Sequence, residues 1–227
     1  MHATSDSRLL KLFDEVVTCP FRCDGIVNNP QQGIIPRSFF CATVPSKVSL
    51  LIVGRNPAHA KEWEYQLYAK TPPSDLVSKH LSVVADLFSE KQSVQSTFHT
   101  NLIRRVAAIL DVPPTPDEVF QHSALTALTK CQSLGKRTDA TPSSTIAICA
   151  ERFLLREIEL YRPHFLLALG NEVFFFLKSP KFKAKHGLPV GNLWHPSWSN
   201  MPDGEQHYFE TKISDLRAQY MQSTNTA

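Results

Sequence analysis

Two short runs in this 227-residue chain are apolar, the first but for Ser49 and the second throughout, and each stops at a glycine: Val48 to Val53 before Gly54, and Phe165 to Leu169 before Gly170. Such runs mark strands buried on both faces, the kind found in parallel sheets. Around them the apolar spacing is helical. It predicts helices over 8–17, from about Ala58 through Trp63 to Ala69, over 75–89 and 99–111, from Ser144 to Tyr161, from Glu172 to Lys178, and from about Gln206 to Met221. Prolines at 72–73, 113–114 and 163 close three of these. Asp117 to Lys130 alternates into Val119, Phe120, Ala124, Leu125 and Leu128 and reads as a further strand, and Pro189 to Leu193 as a fourth. Asp24 to Ser46 is rich in Asn, Pro, Gln and Gly and reads as loop, with an edge hairpin near the apolar patch Phe39–Cys41. Strands alternating with helices predict an α/β fold, a three-layer α/β/α sandwich on a central four-stranded parallel sheet. One domain is expected over 1–227, with 1–46 as an N-terminal helix and loop and 222–227 as a frayed tail.

Composition narrows this picture. With 42% hydrophobic and 20% charged residues the chain is globular, and no apolar run approaches the roughly 20 residues of a membrane helix. The opening Met1–Arg8 has no signal-peptide core, so an intracellular, cytoplasmic protein is expected, and a monomer. In a reducing compartment the five cysteines are then free thiols or metal ligands. A net charge of +3 is compatible with nucleic acid and too mild to demonstrate it. The basic residues are clustered, however: Lys178, Lys181, Lys183 and Lys185 form one group, Lys130, Lys136 and Arg137 another. Either group can follow a phosphate backbone or sit on a solvated loop.

Three places carry candidate chemistry. Gly54-Arg55-Asn56-Pro57 lies at the carboxyl end of a buried strand, where open α/β sheets bind their ligands; Asn56 there can position a water or be an idle turn residue. His195 precedes Pro196 and is held out of any helix, at the same expected sheet edge, where it can donate a proton or stabilise an anion. Cys19, Cys23, Cys131 and Cys149 form two pairs; four thiolates brought together can hold zinc or an iron–sulfur cluster, or remain buried thiols. Cys41 is left over, as packing.

Taken in order, Gly54-Arg-Asn-Pro-Ala58, Thr126-Ala-Leu-Thr-Lys-Cys131, Cys149-x3-Phe153-Leu154, Pro163 before Phe165-Leu-Leu-Ala-Leu-Gly170, and His195-Pro-Ser197 resemble the uracil-DNA glycosylase superfamily over roughly 19–200. The cysteine pattern is similar to that of the iron–sulfur (family 4) branch. The Asn56 motif is closer to the Gly-x-Asn-Pro-Gly of the single-strand-selective and mismatch-specific branches. The resemblance implies a DNA glycosylase acting on a deaminated or modified base in DNA, with Asn56 positioning water and His195 donating to the departing base. It further implies Gly54, Arg55, Tyr68 and Ser197 in the base pocket, with Tyr68 as the stacking ring, and Trp198 or Met201 as the wedge in the vacated stack. Cys19, Cys23, Cys131 and Cys149 would hold a structural [4Fe-4S] cluster, with zinc as the alternative. Ala127 stands where the iron–sulfur branch has a base-reading asparagine, and Arg55 and Lys61 stand where it has acidic residues. These departures leave the base open, and leave a non-catalytic damaged-DNA-binding or DNA-processing accessory protein as the other reading.

Overall fold

The structure is a computed structural model, in which residues 5–89, 97–135, 141–197 and 204–225 are described. Helix α1 (Ser7–Val17) is capped by Asp6, whose carboxylate accepts from the backbone N–H groups of Arg8 and Leu9, and it buries Leu9, Leu12, Phe13, Val16 and Val17. Short strands β1 (Ile26–Val27) and β2 (Phe39–Cys41) follow, then β3 (Leu50–Gly54) and α2 (Glu62–Ala69). Helices α3 (Leu76–Phe88), α4 (Thr97–Leu110) and α5 (Pro116–His122) lead to β4 (Ser123–Ala127) and β5 (Gln132–Ser133). Beyond them, α6 (Ser143–Cys149) runs through a π-helical turn (Ala150–Leu154) into α7 (Leu155–Tyr161), then β6 (Phe165–Leu169), α8 (Asn171–Lys178), α9 (Pro180–His186) and β7 (Val190–Leu193). Last come α10 (Gly204–Tyr208), a second π turn (Phe209–Ile213) and α11 (Ser214–Asn225).

The main sheet has five strands in the order β2-β4-β3-β6-β7. Its four parallel strands are β4, β3, β6 and β7; β2 adds an antiparallel edge, Phe40 opposite Leu125. Within the loop expected across 24–46, the edge element expected near Phe39–Cys41 is the single strand β2, paired with β4. The central β3 and β6 are buried almost throughout, as their unbroken apolar runs require. Asp117 to Lys130 is not one strand. Thr115 caps α5 by accepting from the Glu118 N–H, with Pro116 in the first turn, and the strand begins only at Ser123. The predicted frayed tail is also shorter, since α11 continues through Asn225.

A buried polar pair pins β2 to α3. His80, 2% exposed, donates from Nε2 to the Phe39 carbonyl at 3.1 Å and accepts at Nδ1 from the Tyr68 hydroxyl at 3.2 Å. Burial, helped by the charge of Arg37, holds the His80 pKa down to about 3. The folded protein thus keeps this imidazole neutral while the unfolded chain protonates it near pH 6.5, so stability is lost as pH falls below that value. Between pH 6.5 and 4 the loss from this one group is about 3 kcal/mol. In urea titrations the stability advantage of the wild type over His80→Gln is expected to shrink by that order from pH 7 to pH 4; an advantage independent of pH would refute the assignment.

Candidate active site

The parallel strands deliver Gly54, Ala127, Leu169 and Leu193 to one edge of the sheet. Gly54 lies opposite Ala127 in the β3–β4 register. A β-carbon on Gly54 would meet only ordinary contacts, 3.6 Å to the Thr126 carbonyl oxygen and 3.9 Å to Ala127 Cβ, so the fold itself does not demand glycine there. Beyond the strands the two loops stay zipped: Leu128 N–H donates to Gly54 O and Thr129 N–H to Arg55 O, both at 2.9 Å. This fixes the backbone that carries Asn56, a half-buried residue whose amide lies 3.4 Å from the Pro57 carbonyl. Gln132 holds the rest of the loop: its Oε1 accepts from Ala60 N–H at 3.3 Å and its Nε2 donates to the Tyr65 hydroxyl at 3.1 Å. Arg55 turns sideways, its Nε 3.1 Å from Glu172 Oε1 at the start of α8, which leaves its charge engaged within the protein.

His195 follows β7 on the same edge. Ser197 N–H donates to its Nδ1 at 3.3 Å, which assigns the proton of the neutral ring to Nε2. Loss of hydration, helped by the charge of Arg105, lowers its pKa below the ordinary histidine value. Gly170, at φ 95°, brings its backbone close behind: a β-carbon there would stand 4.0 Å from His195 Cβ. The ends of β3 and β7 flank β6, so the loops that carry Asn56 and His195 leave the same end of the sheet on either side of one central strand.

Tyr68 is not presented at this edge. Its ring is 2% exposed in α2 and its hydroxyl is committed to His80, so no face of it is open to solvent. Ser197 is exposed, contributing its N–H to His195. Trp198 and Met201 lie outside the described residues, as do Lys136 and Arg137. Lys130 is no phosphate ligand: its side chain is 1% exposed and bonded to Glu157 Oε2 at 2.7 Å. Of the other lysine group, Lys181 and Lys185 face Glu151, at 3.8 and 2.7 Å.

Cys19, Cys23, Cys131 and Cys149 line one cavity together with Phe21, Ile26, Pro36 and Phe153. All four are free thiols, and burial together with the charge of the other three pushes the Cys131 thiol far up. β1 pairs with β5, Ile26 opposite Ser133, joining the loop after Cys23 to the loop after Cys131. Cys149 ends α6 where the π turn begins, and it accepts a 3.4 Å hydrogen bond from Lys130 N–H. Local π turns of this kind re-aim a helix at functional positions. Among the described residues no three His, Cys, Asp or Glu side chains converge on a single ion position. Cys41 is buried apart from them, its Sγ donating to Thr43 O at 3.1 Å, and its thiol is pushed up to about 11.

The helix expected over 99–111 is α4, and its contacts with the His195 loop were not expected. Phe98, Asn101 and Arg105, spaced along one helical face, all reach the His195 loop. The signal was present as two polar residues at a spacing otherwise apolar, in a helix read only for its core positions.

An open, mostly parallel α/β sheet that carries an asparagine and a histidine on loops leaving the carboxyl ends of its strands has the layout in which such folds bind their ligands. The sequence profile of the uracil DNA glycosylase superfamily matches residues 41–217, and the chain belongs to that superfamily. This makes it a DNA glycosylase-type protein with DNA as its partner. The match begins at Cys41 and so does not span Cys19 and Cys23. No curated protein matches the chain. No helix among the described residues is long and apolar enough to cross a membrane.

Proposed function

We propose that the protein is a monofunctional DNA glycosylase that hydrolyses the N-glycosidic bond of uracil or another deaminated or modified base. The supporting observation is His195, whose Nδ1 accepts from the Ser197 N–H so that Nε2 carries a proton at the sheet edge, across β6 from Asn56. Breaking a base–sugar bond leaves an electron pair on the base and positive charge on the sugar. A donor fixed on the base side and a water held on the sugar side therefore lower the same barrier. Asn56 orients the water through its amide, and the water supplies the hydroxyl that replaces the base; the base departs as an anion and takes a proton. Asparagine is no base, so the rate falls short of what a carboxylate at this position would give. Ala127 offers no hydrogen bond to the base edge, which relaxes the choice of base. Incubation with uracil-, hydroxymethyluracil- and hypoxanthine-containing oligonucleotides is expected to yield abasic product on at least one. Binding to damaged DNA with no abasic product on any would favour the accessory-protein reading instead.

Cys19, Cys23, Cys131 and Cys149 fit a [4Fe-4S] cluster by donor chemistry, four thiols around one cavity on loops already joined by β1 and β5. The cluster would act structurally, cross-linking the N-terminal loop to the loop that carries Gln132. Protein purified anaerobically is expected to be brown with a broad visible absorption band, and Cys131→Ser to lose both. A colourless protein with one bound zinc would assign the same thiols to zinc.

A further inference from the structure

Arg105 is fully buried, an expensive place for a charge that a guanidinium cannot shed. Its Nη1 donates to the Trp194 carbonyl at 3.3 Å and its Cζ lies 5.2 Å from the centre of the Tyr208 ring. That tyrosine in turn accepts from the Trp194 N–H at 3.1 Å, so both backbone groups of Trp194 are held by one cation–aromatic unit. One helical turn back, Asn101 Nδ2 donates to the Pro196 carbonyl at 2.9 Å, and a further turn back the Phe98 ring packs on the His195 imidazole with centroids 5.5 Å apart. Residues 98, 101 and 105 lie on one face of α4 and meet three consecutive residues of the loop, 195, 196 and 194. Arg104 supports Asn101, bonding its Oδ1 at 3.4 Å while ion-paired to Glu205.

We infer that Arg105 is a positioning residue for His195, and that its fixed positive charge, held at the carbonyl of the residue before the imidazole, also stabilises the negative charge that gathers on the departing base. Asn101 shares the positioning but brings no charge. The inference rests on the glycosylase reading for its chemical half. The two halves are separable because a stabiliser of a leaving anion matters most when the leaving group is poor, whereas a misplaced loop slows every substrate alike. The Arg105 charge is also, after loss of hydration, a cause of the lowered His195 pKa.

The test uses the full chain with Arg105→Met, Arg105→Lys and Asn101→Ala, single-stranded oligonucleotides bearing uracil or the better leaving group 5-fluorouracil, and single-turnover rates. Arg105→Met is expected to lose about 100-fold on uracil, the order seen when one anion-stabilising donor is removed, and several-fold less on 5-fluorouracil. Arg105→Lys restores most of the difference between the two bases, and Asn101→Ala slows both equally. Equal losses on the two bases in Arg105→Met, or no loss, would overturn the electrostatic half. Amide hydrogen exchange at Trp194 is read in parallel and needs no turnover: about tenfold faster exchange in Arg105→Met is expected. Unchanged exchange would overturn the positioning half. If the wild type excises neither base while exchange still accelerates, the glycosylase reading fails and the cradle stands. Should Arg105→Met not fold, Arg105→Lys and Asn101→Ala decide the same two questions.

Discussion

Alanine in place of His195 is expected to lower the single-turnover rate of base excision by about 10²–10³, the cost of one preorganised donor to a developing anion. Affinity for DNA should change little, because that is set mainly by phosphate contacts and His195 is neutral. The geometry makes the neutral form the working one. Nδ1 accepts from the Ser197 N–H, so a second proton on the ring would set two donors against each other and break the bond that shapes the loop. Since loss of hydration and Arg105 both lower its pKa, the ring stays neutral somewhat below the ordinary histidine value of about 6.5. The wild-type rate should therefore hold its plateau below that pH and fall only at greater acidity. Asn56→Ala should lose a comparable factor, since a misplaced water costs as much as a missing donor. Equal rates for wild type and His195→Ala on every base tested would remove His195 from the chemistry.

Periodicity made most of this legible. β3 and β6 were readable because parallel strands buried on both faces leave an unbroken apolar run, and the glycine stops marked the working edge. Local rules failed where a pattern served two elements. Val119 and Phe120 belong to α5 and Ala124 to β4, yet all three face the core, so their spacing merged into one apparent strand. β2, three residues long, is too short to show a period, and only its apolar patch marked an edge element there. Asn56 and His195 stand out in the sequence because a turn glycine and a proline flag them. Tyr68 shows the opposite case: a count along the sequence cannot see that its hydroxyl is held by a histidine on α3. The α4 cradle could not be read from sequence, because Asn101 and Arg105 acquire meaning only from backbone carbonyls that arrive some ninety residues later.

The buried Lys130–Glu157 pair carries the second large effect. Lys130 Nζ lies 2.7 Å from Glu157 Oε2, with exposures of 1% and 0%, and also donates to the Ala127 and Ser38 carbonyls at 3.2 and 3.4 Å. Thr126 Oγ1 donates to the same carboxylate oxygen at 2.6 Å. Removing either charge strands the other without water, and Lys130→Ala or Glu157→Ala should each cost about 3–5 kcal/mol in urea unfolding. The intact pair is not strongly stabilising, however. Burial pushes the Glu157 carboxyl up in spite of the lysine beside it, and its Oε1 has no hydrogen-bond partner among the described residues. Lys130→Met combined with Glu157→Leu should consequently regain most of the lost stability, giving a large favourable coupling in the double-mutant cycle. A cost under about 1 kcal/mol for either single alanine would mean that water reaches the pair. The pair also has a location that stability does not explain: Lys130 touches Cys149 through its N–H and the end of β4 through its ammonium, between the thiol cavity and the base edge. A double variant that folds as well as the wild type but whose Cys149 thiol reacts faster with a thiol reagent would show that these charges are retained to place the cysteine loop rather than to hold the core.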